Sequence, residues 1–346
     1  MIFLFVSFDD TIKELSMGQL REIARRVKVK IKLTKTFMVE AYHFFKVTMK
    51  YNASVNTDND IEKMQYTMLR ENHTIEKGLS MRNPRKGFGQ QKAINLLDRL
   101  DKYMTIYYEQ DPSFMDYPLS TISNYIQYTK SNGVKIPAIE TKFHKVVMRL
   151  KDRKYNCIPS GIVPETKAHI LDKCNSDFES LLYSRHSLRY FTNEVVSKND
   201  IEKALNLAQR TPSACNRQGW KTHVYLYDKC HELLEWQGGC HGFEHDIHTA
   251  ILVTANLKAF LSYEVFQAYV DGGLYAMNLI NALHSMGIGT IPLSLAFQTS
   301  KLQKLKAFGI PENEVPILII GAGYLPDNFN VAVSDRKPIE KTNTFH

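Results

Sequence analysis

Apolar positions recur every three to five residues through the first half of the chain. In the second half they gather into short β-rich runs separated by helical stretches. Between Asp10 and about Leu150 the pattern predicts helices: Ile12, Leu15, Leu20, Ile23 and Ala24 follow this spacing, and so do Ile61, Met64, Met68 and Leu69. Asp60 stands where a helix opening at Ile61 needs an acceptor for an orphan backbone N–H, and is expected as its N-cap. Residues 93–108 predict a further amphipathic helix. Tyr117-Pro118-Leu119-Ser120 is expected to open another, capped by Ser120, with turns at Asn132-Gly133 and Ile136-Pro137. The apolar run 1–6 is expected as a short strand or packed arm: it lacks a basic n-region, and Asp9-Asp10 cut it before any cleavage-site pattern.

From about Ser176 the character changes. Helical stretches at 198–209, 269–286 and 300–307 interleave with apolar runs at 222–227, 250–255 and 315–320, predicting a sheet covered by helices in an α/β or α+β domain. The expected organisation is a mainly helical region over 1–175 followed by a sheet-containing domain over 176–346. The 269–286 helix carries Leu274, Ala276, Met277, Leu279, Ile280, Ala282 and Leu283 almost all round, so it is expected to be buried in a core or a subunit interface.

With 44% apolar and 23% charged residues, the composition is globular and excludes a disordered, collagen-like or disulfide-scaffold chain. No apolar run approaches the roughly 20 residues of a membrane span. Five cysteines without framework spacing suit a reducing compartment, hence a cytoplasmic expectation. Charge separates the halves. Residues 1–175 hold 29 Lys+Arg against 19 Asp+Glu, a net +10, and residues 176–346 hold 15 against 17, a net −2. A basic surface attracts an anionic partner such as nucleic acid, anionic lipid, nucleotide or acidic glycan, and equally describes a solvated face with no partner.

Four clusters in the second half carry candidate chemistry. Ser184-Arg185-His186-Ser187-Leu188-Arg189 groups two guanidinium forks, an imidazole and hydroxyls, the donors a phosphate needs. Thr211-Pro212-Ser213-Ala214-Cys215-Asn216-Arg217-Gln218-Gly219-Trp220 lies between a helix and a strand. Its small residues allow close backbone approach, and Asn216 and Gln218 suit the edge of a planar heterocycle. Gly287-Ile288-Gly289-Thr290-Ile291-Pro292-Leu293-Ser294 closes the apolar helix, and Ser334-Asp335-Arg336-Lys337-Pro338 lies near the end of the sequence.

In order and spacing, these clusters resemble the nitroreductase family of FMN-dependent, NAD(P)H-using oxidoreductases, over residues 176–346. The resemblance implies an α+β fold with a central, mostly antiparallel sheet flanked by helices, here preceded by a mainly helical region. It implies a homodimer with FMN at its interface. Arg185, His186, Ser187 and Arg336 would form the phosphate seat, and Arg189 would face the flavin pyrimidine, where a cation stabilises charge developing on reduction. Pro212, Ser213, Ala214, Asn216 and Gln218 would serve the partner's flavin. Pro292, Leu293 and Ser294 match the segment whose backbone N–H faces flavin N5. Catalysis would be flavin-centred with no catalytic side chain: hydride from NAD(P)H to N5, then to a small nitro, quinone or anionic acceptor by a ping-pong mechanism. Leu295, Gly219 and Ser334 depart from residues common in relatives. Two alternatives are a flavin-binding protein that docks a polyanion or glycan without turnover, and a flavin-dependent dehydrogenase working in the oxidative direction. Neither nucleic acid nor a metal is expected as a partner.

Three other motifs compete for attention. Gly321-Ala322-Gly323 imitates a dinucleotide fingerprint but lacks its third glycine and following helix, so a buried strand ending in a glycine turn is the preferred reading. Cys230, Cys240, His241, His245 and His248 offer metal-ligand types without a Cys-x-x-Cys pair, and a substrate-facing loop or plain packing is preferred. Residues 73–89 join a helical start to a glycine-rich loop with Lys77, Arg82, Arg85 and Lys86. That segment either packs on the flavin domain or recognises an anion, and it is loosely similar to N-terminally extended nitroreductase-like proteins of bacterial polysaccharide loci.

Overall fold

The computed structural model describes residues 16–51, 57–150, 156–174, 176–261, 264 and 266–346. The run 1–6, Ile12 and Leu15 lie outside the described residues. In chain order come α1 (Met17–Tyr51), α2 (Ile61–Leu79), α3 (Gln90–Ile106), α4 (Asp116–Ser131), α5 (Pro137–Met148), β1 (Ile162–Thr166), α6 (Lys167–Cys174), α7 (Phe178–Ser184) and α8 (Lys198–Ala208). They are followed by β2 (Trp220–Leu226), α9 (Tyr227–Gln237), β3 (Thr249–Asn256), α10 (Gln267–Ser285), β4 (Ile288–Ser294), α11 (Thr299–Leu302), β5 (Glu314–Tyr324) and β6 (Asn328–Ala332).

The spacing of apolar residues builds α2 to α5 into a helical bundle. Met64, Met68, Ile75 and Leu79 of α2 meet Leu96, Leu97, Leu100 and Tyr103 of α3, with Leu119, Ile122 and Tyr125 of α4 and Ile139 and Val146 of α5, all buried. Asp60 caps α2 as expected, its carboxylate accepting from Lys63 N at 3.1 Å. Pro137 opens α5 at a position where its missing N–H costs nothing. Ser120 is not a cap: α4 starts at Asp116 and buries Ser120, whose Oγ accepts from the Ile158 N–H at 3.1 Å. The Asp116 carboxylate accepts from Asn156 N at 3.0 Å, so both polar groups serve a chain segment some 40 residues away rather than their own helix end. Helix α1 stands apart in exposure, with Ile31, Met38 and Tyr42 more than half exposed.

The second half is α+β. Its four-stranded sheet has the order β2-β3-β5-β4, every pair antiparallel. Central β3 is buried on both faces, and alternation along it sends Ala250 and Leu252 to one core and Ile251 and Val253 to the other. Helices α8 and α10 cover the second face through Ile201, Ala204, Leu279 and Leu283, and Trp220 stacks on Tyr275 with ring centroids 4.8 Å apart. Helix α9 and the 240–247 turn cover the first face with Leu233, Leu234, Phe243 and Ile247. Helix α10 turns Tyr275, Ala276, Leu279 and Leu283 inward, yet leaves Val270, Leu274 and Met277 exposed in a stripe along its other side.

Strand β1 pairs with β6, Ile162 opposite Ala332, so residues 162–166 are joined to the second half although they precede residue 176. Gly321 and Gly323 lie within β5, and no helix follows them before β6. A Cβ on Gly323 would stand 2.7 Å from Phe191 and one on Gly321 2.9 Å from Ile291, so packing dictates these glycines. Cys230 and Cys240 are buried in the sheet's first core, their thiols donating to the carbonyls of Ile247 and Leu234. The ring of His231 packs against those of His245 and His248.

Candidate functional site

Helix α7, capped by Asp177, ends at Ser184 and delivers the next residues to the free edge of β4. Ser187 pairs in parallel with Thr290, and Leu188 N donates to Thr290 O at 2.9 Å, which fixes the segment as an extra half-strand. Behind it, Ser184 Oγ and His284 Nε2 are 2.8 Å apart, tying the segment to the last turn of α10. Burial, helped by Arg185 and His186, pushes the His284 imidazole down to about 4, so it is neutral at physiological pH.

From the other end of the domain, the chain leaves β6 and brings Arg336 to the same place. Arg185, His186, Ser187 and Arg336 line one cavity of about 640 Å³, walled by Leu182, Tyr183 and Val333. Ser334 in its wall adopts a left-handed backbone with φ 49°, and its carbonyl accepts from Arg336. Arg185 makes no ion pair among the described residues. Its guanidinium is lowered from its usual range by burial first and then by the Arg336 charge. His186 is likewise lowered, chiefly by burial, with Glu165 opposing and both arginines adding. Glu179 and Asp335 also line the cavity, but neither forms an ion pair with Arg185 or Arg336 among the described residues, so both guanidiniums are left for an anion.

Arg189, two residues beyond Ser187, is buried away from this cavity. Its Nη1 donates to Ser80 Oγ at 2.9 Å, and burial lowers it to about 10 against the opposing pull of Glu76. Its Nε has no partner among the described atoms, and the same holds for buried Thr290 Oγ1. Glu76, also buried, accepts from Tyr117 Oη at 2.6 Å and Gly161 N at 2.9 Å, and burial raises its carboxyl above the usual range. The Tyr117 hydroxyl in turn accepts from the Asp335 N–H at 3.1 Å, beside Arg336. The helical half therefore reaches the cavity lining through Tyr117 at Asp335, and holds Arg189 behind the Ser187 segment through Ser80.

The 73–89 segment packs on the second half. Lys77 Nζ donates to Gly239 O at 2.5 Å, and the Arg82 guanidinium lies 4.5 Å from the Tyr190 ring centroid, with Asp246 3.9 Å away. Burial first, then Arg189 and Lys77, lower His73.

The 212–218 loop does not line the cavity of its own chain. Cys215, Asn216 and Gln218 take left-handed backbones. The Ala214 N–H donates to the Asp271 carboxylate at 3.2 Å, Gln218 N donates to Ser213 Oγ at 2.9 Å, and Arg217 grips Glu264 with two bonds of 2.7 Å. Pro212, Asn216 and Gln218 are left exposed. On β4, Leu293 is a core side chain, while Pro292 and Ser294 are exposed, and Ser294 O accepts from Gln237 Nε2 at 2.9 Å. Sequence reasoning missed Ser80, Glu76, Tyr117, His284, Asp271 and Glu264. Each acts through a partner at least 40 residues away, and no local spacing signals such a pair.

The profile of the nitroreductase family matches residues 182–324. A protein of Archaeoglobus fulgidus, provisionally named an NADH dehydrogenase/NAD(P)H nitroreductase, is 30% identical over 152 residues, 42% of this chain and 84% of that protein. One of the same name from Methanothermobacter thermautotrophicus is 25% identical over 158 residues, 44% and 79% of the two chains. Among solved structures, a nitroreductase family protein of Streptococcus pneumoniae aligns at 24% identity and TM-score 0.42, over 49% of this chain and 100% of that one. A provisionally named nitroreductase of Exiguobacterium sibiricum, solved in complex with FMN, aligns at 19% and 0.43 over 49% and 98%. On the match to the Archaeoglobus protein, and with the profile running from α7 to the end of β5, the chain belongs to the nitroreductase family.

Proposed function

We propose that this protein is an FMN-dependent oxidoreductase, and the observation that carries the reading is the convergence of Arg185, His186, Ser187 and Arg336 on one cavity without a carboxylate partner for Arg185. The residues fit FMN. Two guanidiniums, a hydroxyl and an imidazole match a phosphate dianion, and the orphaned donors of Arg189 and Thr290 flank the Ser187–Arg189 stretch where further acceptors are wanted. Bound FMN supplies hydride chemistry, taking two electrons from NAD(P)H and passing them to a small organic acceptor, whether nitro compound, quinone or anionic substrate, in alternating half-reactions.

The chain's own residues have simpler tasks. Arg185 and Arg336 bind the phosphate and neutralise its charge. Ser187, held by its bridge to β4, donates its hydroxyl at a fixed position. Arg189 presents a buried, permanent cation to the ring system, and Ser80 keeps it oriented. The exposed Pro292 and Ser294 offer the β4 backbone. Pro212, Ser213, Ala214, Asn216 and Gln218 complete the site of a partner subunit in a homodimer formed through the exposed Val270, Leu274 and Met277 stripe of α10. All five cysteines are free, which supports a reducing, cytoplasmic setting.

The test is spectroscopic. The purified chain is expected to carry or take up FMN and to bleach when mixed anaerobically with NADH or NADPH. A colourless protein that refuses FMN contradicts the proposal.

A further inference from the structure

Helix α1 is the most charged and most exposed element of the described chain. It holds nine Lys+Arg against two Glu, so it supplies most of the first half's positive excess. Leu20, Ala24, Val27, Ile31, Met38, Ala41 and Phe45, with Thr34 among them, stand at alternating steps of four and three, which places them in one stripe on a helix of 3.6 residues per turn, while Val29, Leu33 and Val39 lie off it. That stripe faces solvent: Val27 is 49% exposed, Ile31 64%, Met38 61% and Phe45 59%. Glu22 is already engaged by Arg25 and Arg26. Lys28, Lys30, Lys32 and Lys35 make no ion pair among the described residues. At about 100° per residue, Lys28, Lys32 and Lys35 fall along one flank of the stripe and Lys30 along the other.

We infer that α1 lies along an anionic membrane surface, its apolar stripe in the headgroup region and its lysines on the lipid phosphates. The charge pattern selects this occupant. In a helix–helix seam the flanking positions carry opposite charges, but here they read Arg21, Lys28, Lys30 and Lys35 beside apolar Ile23 and Phe37, so a second copy meets like charge in either orientation. A nucleic acid satisfies the lysines and leaves the stripe in water. An anionic bilayer meets both, with the lysine stems extending along the stripe toward the phosphates. Among the described residues no helix is long and apolar enough to cross a membrane, so the contact is peripheral. The inference is independent of the flavin reading.

The test is co-sedimentation of the full chain with vesicles of phosphatidylcholine alone, or of equal parts phosphatidylcholine and phosphatidylglycerol. Binding is expected to the anionic vesicles only. At about 5-fold per cation near such a surface, the Lys28→Gln, Lys32→Gln, Lys35→Gln triple variant is expected to bind roughly 100-fold more weakly. The Ile31→Glu, Met38→Glu variant is expected to lose binding with its circular dichroism and FMN uptake unchanged. No binding to anionic vesicles, equal binding to neutral ones, or full binding by either variant overturns the inference. A polyribonucleotide that strips the protein from the vesicles at physiological salt overturns it in favour of nucleic acid. A fall in oligomeric state in the Ile31→Glu, Met38→Glu variant by light scattering overturns it in favour of a protein seam.

Discussion

Arg189 and Ser80, 109 residues apart in sequence, meet in a 2.9 Å hydrogen bond that joins the helical half of the molecule to the family domain. The bond is buried, and Arg189 has no carboxylate to replace it: Glu76 acts on it at a distance but spends its own oxygens on Tyr117 and Gly161. Ser80→Ala removes the acceptor and leaves a buried guanidinium N–H unsatisfied. The expected cost is about 1–3 kcal/mol of stability, read as a lower denaturant midpoint. Bound flavin is also expected to become harder to reduce, since the cation proposed to face it is no longer held in place.

Arg185 and Arg336 reach one cavity from opposite ends of the domain. If each makes a charge-assisted bond to the phosphate, truncation of either to Ala is expected to weaken FMN binding by about 10- to 150-fold with the fold retained by circular dichroism. The two effects are expected not to add, since both act on one dianion. A surface cation outside the cavity lining, such as Lys229, is the control and is expected to leave affinity unchanged when replaced by Ala. Arg217 is unsuitable for that purpose, because its paired bonds to Glu264 hold the 212–218 loop.

His284 makes stability depend on pH in a defined window. Unfolded, the imidazole takes a proton near pH 6.5; folded, it stays neutral down to about 4. Between these values the unfolded chain binds more protons, so acid favours unfolding: stability is full above pH 6.5 and falls as the pH drops toward 4. The loss attributable to His284 is about 3 kcal/mol. Urea titrations at pH 7 and pH 4.5 are expected to show a smaller difference for His284→Gln than for the parent protein. Equal differences contradict the assignment.

The exposed stripe of Val270, Leu274 and Met277 is expected to be covered in solution by the same stripe of a second copy. Light scattering is expected to give a dimer for the parent protein and a monomer for Leu274→Glu, and the monomer is expected to lose its FMN. A parent protein that is monomeric and retains FMN contradicts the dimer.

What the sequence made legible was what local spacing encodes. The Asp60 cap, the opening of α5 at Pro137 and the inner face of α10 each follow from residues within a turn or two of one another. The cavity-forming set of Arg185, His186, Ser187 and Arg336 was legible only because four separate clusters kept a recognisable order. Ser120 was misread as a cap because a hydroxyl at a helix start looks the same whether it serves its own helix or, as here, a distant N–H. The Ser80–Arg189 bond, the Glu76–Tyr117–Asp335 chain and the Ser184–His284 pair were invisible for the same reason: tertiary folding brings them together, and neither partner carries a local mark.

The most direct test of the central claim is an FMN titration of flavin-free protein, followed by quenching of flavin fluorescence. Saturation is expected at one FMN per chain, with affinity falling by at least about 10-fold in Arg185→Ala and in Arg336→Ala and unchanged in Lys229→Ala. No quenching by the parent protein, or equal affinity across all four proteins, would contradict it.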